Sequence, residues 1–182
     1  KWFKKLSRVF VSELKLIKES LEPTVGTCFL PFVYKAESIS KELKEIDAIV
    51  ICDNTFASPY NQQPLTQGAD VVIHSSTKYL GGHSDLIGGS LIIKENNNLA
   101  EKIKYLQNAA GAIPSPFDCY LLIRSIKTLS VRMEKHNNNG MKIAKFLEKQ
   151  KLVKKIFYPG LPTNSNFLIA KKQMKGFGGI LS

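Results

Sequence analysis

Lys78 sits in a segment whose residue types could run amine chemistry: His74-Ser75-Ser76-Thr77-Lys78-Tyr79-Leu80-Gly81-Gly82-His83-Ser84-Asp85. The apolar run Ala69-Asp70-Val71-Val72-Ile73 leads into it, and a second apolar run, Ala48-Ile49-Val50-Ile51-Cys52, ends in Asp53. One strand ending in a carboxylate, beside another ending in hydroxyls and an amine, would meet the needs of pyridoxal 5'-phosphate (PLP). Lys78 would form an imine with its aldehyde, Asp53 would face its ring nitrogen, and Ser75 and Thr77 would meet its phosphate.

Each residue also has a plainer reading. A lone Lys at a strand end is an ordinary surface residue, but the Ser-x-Thr-Lys setting and the Gly81-Gly82 pair favour a catalytic amine. Once freed from the cofactor by substrate, that amine is a base beside the Cα proton and can shuttle protons between carbons. Asp53 could cap the turn through Asn54 and Thr55. Beside Lys78, the role of keeping a pyridine nitrogen protonated is favoured. Ser75 and Thr77 alternate along a strand end, so both can face one side, or they could cap a turn. His83 and Asp85 read as holders of the Gly81-Gly82 loop rather than an acid–base pair, and His136 as a surface or interface residue. No zinc, calcium or Walker-type spacing is present, so no metal is expected.

The elements that must position these groups alternate between strand and helix. Residues 1–20 carry Val9, Phe10, Leu14 and Ile17 at helical spacing. Pro23, Gly26 and Pro31 break up residues 21–35, where Cys28-Phe29-Leu30 has no evident partner. Ser38 to Lys44 reads as a short helix. Strands are expected at 48–52, 70–74 and 88–93, and the apolar character of the first two fits a parallel sheet covered on both faces. Leu99 to Gln107 reads as a helix. Ser115 or Asp118 can cap the helix that follows, expected over about 118 to 149. Its inner side would carry Leu121, Leu122, Ile126, Leu129 and Met133, and Asn137-Asn138-Asn139-Gly140 could bend or break it. Val153 to Phe157 reads as a last strand, stopped by Pro159-Gly160. The result is an α/β fold with a mostly parallel sheet, whose ligand site belongs at the carboxyl ends of its strands. Asp53 and Lys78 both fall there.

Composition narrows the class. The 182 residues suffice for one domain with a core, and no apolar run approaches the length of a membrane helix. Cys28, Cys52 and Cys119 are too few and too scattered for a disulfide framework, so a reducing, cytoplasmic setting is expected. The net charge of +11 comes from Lys spread along the chain with no interleaved aromatics. That pattern reads as a basic enzyme surface rather than a nucleic-acid or membrane interface. The chain opens on Lys1 and closes on Gly178-Gly179-Ile180-Leu181-Ser182, which reads as a strand cut in mid-course, so it is expected to be a piece of something longer.

A wider set of motifs resembles the Cys/Met-metabolism family of PLP enzymes, which includes cystathionine γ-lyase, cystathionine γ-synthase, cystathionine β-lyase and methionine γ-lyase. The matching pieces are Asp53-Asn54-Thr55-Phe56-Ala57-Ser58-Pro59-Tyr60, Gln63-Pro64-Leu65, Gly68-Ala69-Asp70, Ser75-Ser76-Thr77-Lys78-Tyr79 and Gly82-His83-Ser84-Asp85. They continue with Gly111-Ala112-Ile113-Pro114-Ser115-Pro116-Phe117-Asp118, Arg124, Lys127-Thr128-Leu129, Arg132-Met133, Tyr158-Pro159-Gly160-Leu161 and Gly176-Phe177-Gly178-Gly179. The Pro-Ser-Pro-Phe-Asp-Cys-Tyr run and Arg-Met-Glu-Lys-His look most like the γ-lyase branch.

The resemblance implies the large PLP-binding domain of a fold-type-I, aspartate-aminotransferase-like enzyme. Residues 1–46 would be a divergent N-terminal segment. Residues 47–182 would be a large-domain segment running into the start of a C-terminal domain, truncated at both ends. Lys78 falls on the family's Schiff-base Lys, Asp53 on its ring-nitrogen partner, and Ser75 and Thr77 on its phosphate contacts. The implied reaction is α,γ-elimination of cystathionine to cysteine, 2-oxobutanoate and ammonia, in a homotetramer built as a dimer of dimers. The γ-synthase, β-lyase and methionine γ-lyase reactions, or a non-catalytic remnant, are the alternatives. Ser125 stands where the family usually has Gly after Arg124.

Overall fold

A computed structural model describes residues 27–30 and 49–182. Its centre is a four-stranded sheet in the order β1 (Thr27–Leu30), β2 (Ile49–Asp53), β3 (Val71–Ser75), β4 (Gly89–Ile93). β1 and β2 run parallel, as do β2 and β3, while β4 adds antiparallel to β3. Cys28-Phe29-Leu30, which had no evident partner in the sequence, pairs with Val50-Ile51-Cys52. The helices expected within 1–20 and 38–44 lie outside the described residues.

β2 and β3 read as unbroken apolar runs because both sheet faces are covered. On one face Val50, Cys52, Ala69 and Val72 pack together under Leu65. On the other, Ile51, Val71 and Ile73 meet Ile93 and the inner residues Leu99 and Ile103 of α2 (Asn98–Ala110). β2 and β3 end one residue later than their sequence patterns indicate, so Asp53 and Ser75 are themselves the last strand residues. A short helix α1 (Ser58–Asn61) and a 3₁₀ turn (Pro64–Gln67) connect β2 to β3.

Local signals set the helix ends. Asn97 Oδ1 accepts the N–H groups of Leu99 and Ala100 to start α2. Ser115 caps α3 (Pro116–Ile126), its Oγ accepting from Asp118 N at 3.0 Å, with Pro116 at the first helical position. The helix expected with interruptions over about 118 to 149 is two helices. The chain breaks at Lys127–Thr128, and α4 (Leu129–Leu147) runs straight through Asn137-Asn138-Asn139-Gly140. Leu122, Leu129 and Met133 line the inner side as expected, packed with Leu80, Tyr60 and Tyr79, whereas Ile126 is exposed.

The Asn-Gly run does not break α4 because Asn137 and Gly140 both meet distant segments. Gly140 admits the segment 176–179 so closely that a Cβ there would lie 2.5 Å from Gly178 O. Residues 153–157 form no strand of the sheet. Phe157 instead exchanges two backbone hydrogen bonds with Ser182, at 2.6 and 3.2 Å. Behind that contact Tyr158, Leu161 and Ala144 make a second core. Helix α5 (Phe167–Gln173) seals Ala57 with Ala170 and Met174.

Two consequences can be measured. Ala is the better helix former by about 1 kcal/mol, yet Gly140→Ala is expected to destabilise. Overpacking costs about 1–3 kcal/mol, and here the obstacle is backbone, which cannot swing aside. Urea unfolding followed by circular dichroism reads the sign, and a stabilised variant would refute the close packing.

The second concerns His74. It is 3% exposed, its Nδ1 has no hydrogen-bond partner, and burial holds its pKa below the usual 6.5 against a smaller opposing pull from Asp53. The unfolded chain therefore takes up this proton first. Stability present above pH 6.5 is lost as pH falls through that value, by at most about 1.4 kcal/mol per pH unit for one group. In His74→Gln the melting temperature should fall less steeply between pH 6.5 and 5 than in the parent; identical slopes would show that His74 is protonated without penalty.

Candidate active site

The site forms where β2 and β3 stop. Because they are parallel neighbours, with Asp53 level with Ile73, their carboxyl ends emerge together. The corner after β2 is tied to the corner after β3 by hydrogen bonds. Asn54 N donates to Ile73 O at 2.9 Å, and Ser75 N donates to Thr55 Oγ1 at 2.8 Å. The exposed Asp53 carboxylate accepts Thr55 N through Oδ1 at 2.9 Å, which orients it. The capping role and an outward-facing carboxylate therefore coexist in one residue. The loop beyond is closed by Asn54 Nδ2 donating to Gln62 O, and it contains Ser58, wholly buried at φ 59° ahead of Pro59. A non-glycine residue in the left-handed region stores strain and persists only where its surroundings over-determine it.

Lys78 lies on the wide turn Ser76–Leu80 that follows β3, half-buried, with non-helical dihedrals of φ −93° and ψ −122°. The turn is held on every side. Gly81 N donates to Ser76 O at 2.8 Å and Gly82 N to Lys78 O at 2.7 Å. Arg132, on α4, donates from Nη1 to Tyr79 O at 2.6 Å, from Nη2 to Ser125 O at 2.9 Å and from Nε to Thr128 Oγ1 at 3.1 Å. Gly82 is required twice over, by its φ of +74° and because any Cβ would run into the Arg132 guanidinium. On the far side, the Tyr79 hydroxyl accepts Gly179 N at 3.1 Å, and its ring meets His136 edge-on at 5.0 Å.

The two hydroxyls of the sequence reading lie on different elements. Ser75 ends β3, half-buried. Thr77 is not on the strand, because β3 has already given way to the turn, so alternation no longer fixes where it faces. Its Oγ1 accepts Gly88 N at 3.0 Å and donates to Gly88 O at 3.3 Å, pinning the turn to the start of β4. His83 does hold the Gly81–Gly82 loop. Its Nδ1 is 2.7 Å from Gly81 O and 3.3 Å from the buried Ser125 Oγ. A Gly at 125 could not supply that second contact. Arg132 and Asn137 carry the largest share of side-chain anchoring around the turn, and nothing in their spacing announced it. Asn137 makes a reciprocal pair with Asn61, both bonds 2.9 Å, and accepts Gly178 N at 2.7 Å.

Electrostatics take one competing nucleophile out of contention. Burial, then the Asp53 charge, push the Cys52 thiol up to about 11, which suppresses its thiolate. Burial lowers the Arg132 pKa without discharging it at neutral pH, and burial followed by Arg132 lowers that of His136. Among the described residues no cluster of His, Cys, Asp or Glu could hold a metal ion, and no helix is long and apolar enough to cross a membrane. An exposed carboxylate, a strand-end hydroxyl and an amine on the turn beyond it are the kinds of group that a pyridine nitrogen, a phosphate and an aldehyde would need.

Known proteins are similar to this chain in sequence and in fold. A family model described as Cys/Met metabolism PLP-dependent enzyme matches residues 28–182. A probable cystathionine γ-synthase of Herpetosiphon aurantiacus is 53% identical over 145 residues, covering 80% of this chain and 45% of that protein. A cystathionine β-lyase of Coxiella burnetii is 53% identical over 144 residues, covering 79% of this chain and 37% of its own length. The crystal structure of cystathionine γ-lyase from Lactobacillus plantarum complexed with L-serine superimposes with a TM-score of 0.82 at 44% identity, over 92% of this chain and 46% of that one. This chain thus spans less than half the length of those relatives. With a fold-type-I architecture, an amine-bearing turn after β3 and a sequence match over most of its length, the chain belongs to the Cys/Met-metabolism family of PLP-dependent enzymes.

Proposed function

We propose that the protein containing this chain is a PLP-dependent lyase of sulfur amino-acid metabolism that eliminates across Cα and Cγ of cystathionine, giving cysteine, 2-oxobutanoate and ammonia. The supporting observation is that Asp53 and Ser75 end adjacent strands cross-linked by hydrogen bonds, and Lys78 stands on the turn directly after Ser75, where the cofactor of the family would need them. The family's γ-synthases and β-lyases share these residues, so the choice of the γ-lyase reaction rests on the Pro114–Tyr120 and Arg132–His136 runs. The γ-synthase, β-lyase and methionine γ-lyase reactions, and a non-catalytic remnant, are the competing readings.

When bound, the cofactor supplies an electron sink that stabilises negative charge at the substrate Cα. Asp53 would keep the pyridine nitrogen protonated, its orientation already set by Thr55 N. Ser75 would donate its hydroxyl to the phosphate. Thr77 would do the same by turning its hydroxyl hydrogen away from Gly88 O, a long 3.3 Å bond, while still accepting Gly88 N. Lys78 would hold the cofactor through Nζ and, once released, take the proton from Cα and deliver one further along the chain. The clamps on Tyr79 O and Lys78 O would let Nζ swing while the backbone stays fixed. The free thiols of Cys52 and Cys119 suit a reducing cytoplasm. Exposed Phe117, Tyr120 and Ile123 on α3 suit an apolar subunit contact in a dimer of dimers.

Borohydride reduction in the presence of PLP tests the amine directly. Peptide mapping should show one modified residue, Lys78, lost in Lys78→Ala and after denaturation. Label scattered over surface lysines, unchanged in Lys78→Ala, would mean that no such site forms. In the complete protein, Lys78→Ala should lower kcat for 2-oxobutanoate release from cystathionine by about 10²–10⁴, the usual share of a positioned base. Cystathionine formed from an O-acylhomoserine and cysteine, with no elimination, would establish the γ-synthase reaction instead.

A further inference from the structure

Four buried side-chain polar atoms among the described residues have no hydrogen-bond partner, and three of them belong to residues that line one cavity: Gln62 Oε1, Gln67 Oε1 and Gln173 Nε2. The cavity measures about 150 Å³. It lies at the seam between the loop after β2 and the segment that leaves α5. Gln67 Nε2 donates to Gln173 O at 2.9 Å, and Lys175 N donates to Asn61 O at 2.8 Å. Gln62 is 5% exposed, so its unmatched carbonyl has no ready recourse to bulk water. The exposed Lys175 is among the lining residues, and no Asp or Glu is.

Buried polar groups are nearly always paired, so three orphans on residues that line one space call for an occupant. Its chemistry follows from theirs. Two amide carbonyls need a donor, whereas one amide N–H and an ammonium need an acceptor. A bare metal cation would satisfy the carbonyls but face Lys175 with no carboxylate to offset it. A simple anion would satisfy Lys175 and Gln173 and leave both carbonyls empty. We propose that the cavity binds a small free α-amino acid as its zwitterion, the carboxylate on Lys175 and Gln173 Nε2 and the ammonium on Gln62 and Gln67 Oε1. The space would hold about five water molecules, enough for the zwitterionic head and a short side chain. The site is separate from Lys78 and independent of which reaction Lys78 serves. Its occupancy touches the same loop, because Gln62 O is the acceptor for Asn54 Nδ2, the residue after Asp53.

The probe is glycine, titrated into the full ¹⁵N-labelled chain free of PLP, with acetate and methylammonium as its two half-ligands. The readout is the side-chain amide signals of Gln62, Gln67 and Gln173, the first identified by its loss in Gln62→Leu. Glycine should move all three saturably. Each half-ligand, and glycine with the exposed-rim variant Lys175→Met, should bind roughly tenfold to a hundredfold more weakly, the effect of losing a hydrogen bond to a charged group. Saturating PLP should leave the glycine shifts in place. No saturable shift in a folded spectrum would mean that water alone fills the cavity. Acetate binding as well as glycine would make it an anion pocket, and methylammonium or potassium doing so would make it a cation pocket; any of the three overturns the proposal.

Discussion

The residue after Lys78 carries the contact on which the rest of the site depends. Tyr79 is gripped at both ends, its carbonyl by the Arg132 guanidinium and its hydroxyl by the backbone N–H of Gly179. One grip reaches α4, the other a segment a hundred positions away in the chain. A charge-assisted hydrogen bond of 2.6 Å to a backbone carbonyl is among the stronger single contacts a side chain can make. Here it is made by a planar fork whose other arms hold Ser125 O and Thr128 Oγ1, so the turn, the end of α3 and the start of α4 move as one body. A lysine at 132 could offer a charge but not three diverging donors in fixed geometry.

That rigidity extends across the sheet ends. The loop after β2 folds back so that Thr55 accepts from Ser75, and Asn61 locks to Asn137, which also holds Gly178. The strap Gly176–Gly179 is thereby fixed from three sides, by Asn137, by Tyr79 and by Tyr158, whose buried hydroxyl donates to Gly178 O at 2.9 Å and is pushed up to about 12 chiefly by burial. Close approach explains the small residues there. A Cβ at 176 would collide with the Asn137 amide, and one at 140 with the Gly178 carbonyl. The glycines of the strap and the asparagines of α4 are two halves of one joint.

What the sequence disclosed follows from the range of the forces involved. The burial of β2 and β3 on both faces is written in consecutive apolar residues, so these strands and the places where they stop, at Asp53 and Ser75, were legible to within a residue. Caps such as Ser115 are local and were legible too. The errors lie where a distant contact overrides a local signal. Asn137-Asn138-Asn139-Gly140 is a breaker by propensity, yet it stays helical because Asn61 and the strap supply partners that no window around it contains. Val153–Phe157 has strand-like composition, but the neighbour it meets is the end of the described chain at Ser182, not the sheet. Thr77 was placed by extending a period of two past the point where β3 ends. The family resemblance supplies what spacing cannot, since Arg132 belongs to the matched Arg132-Met133 motif.

Ser125 shows how a change from the family pattern is absorbed. The ring nitrogen 2.7 Å from Gly81 O must carry its hydrogen, because a carbonyl can only accept. His83 Nδ1 is thus the donor, and the Ser125 hydroxyl at 3.3 Å is a second, longer acceptor for the same N–H. The latch on the Gly81–Gly82 loop is thus one N–H shared between the Gly81 carbonyl and the Ser125 hydroxyl, whereas the strand-borne His74 is buried with its Nδ1 unmet.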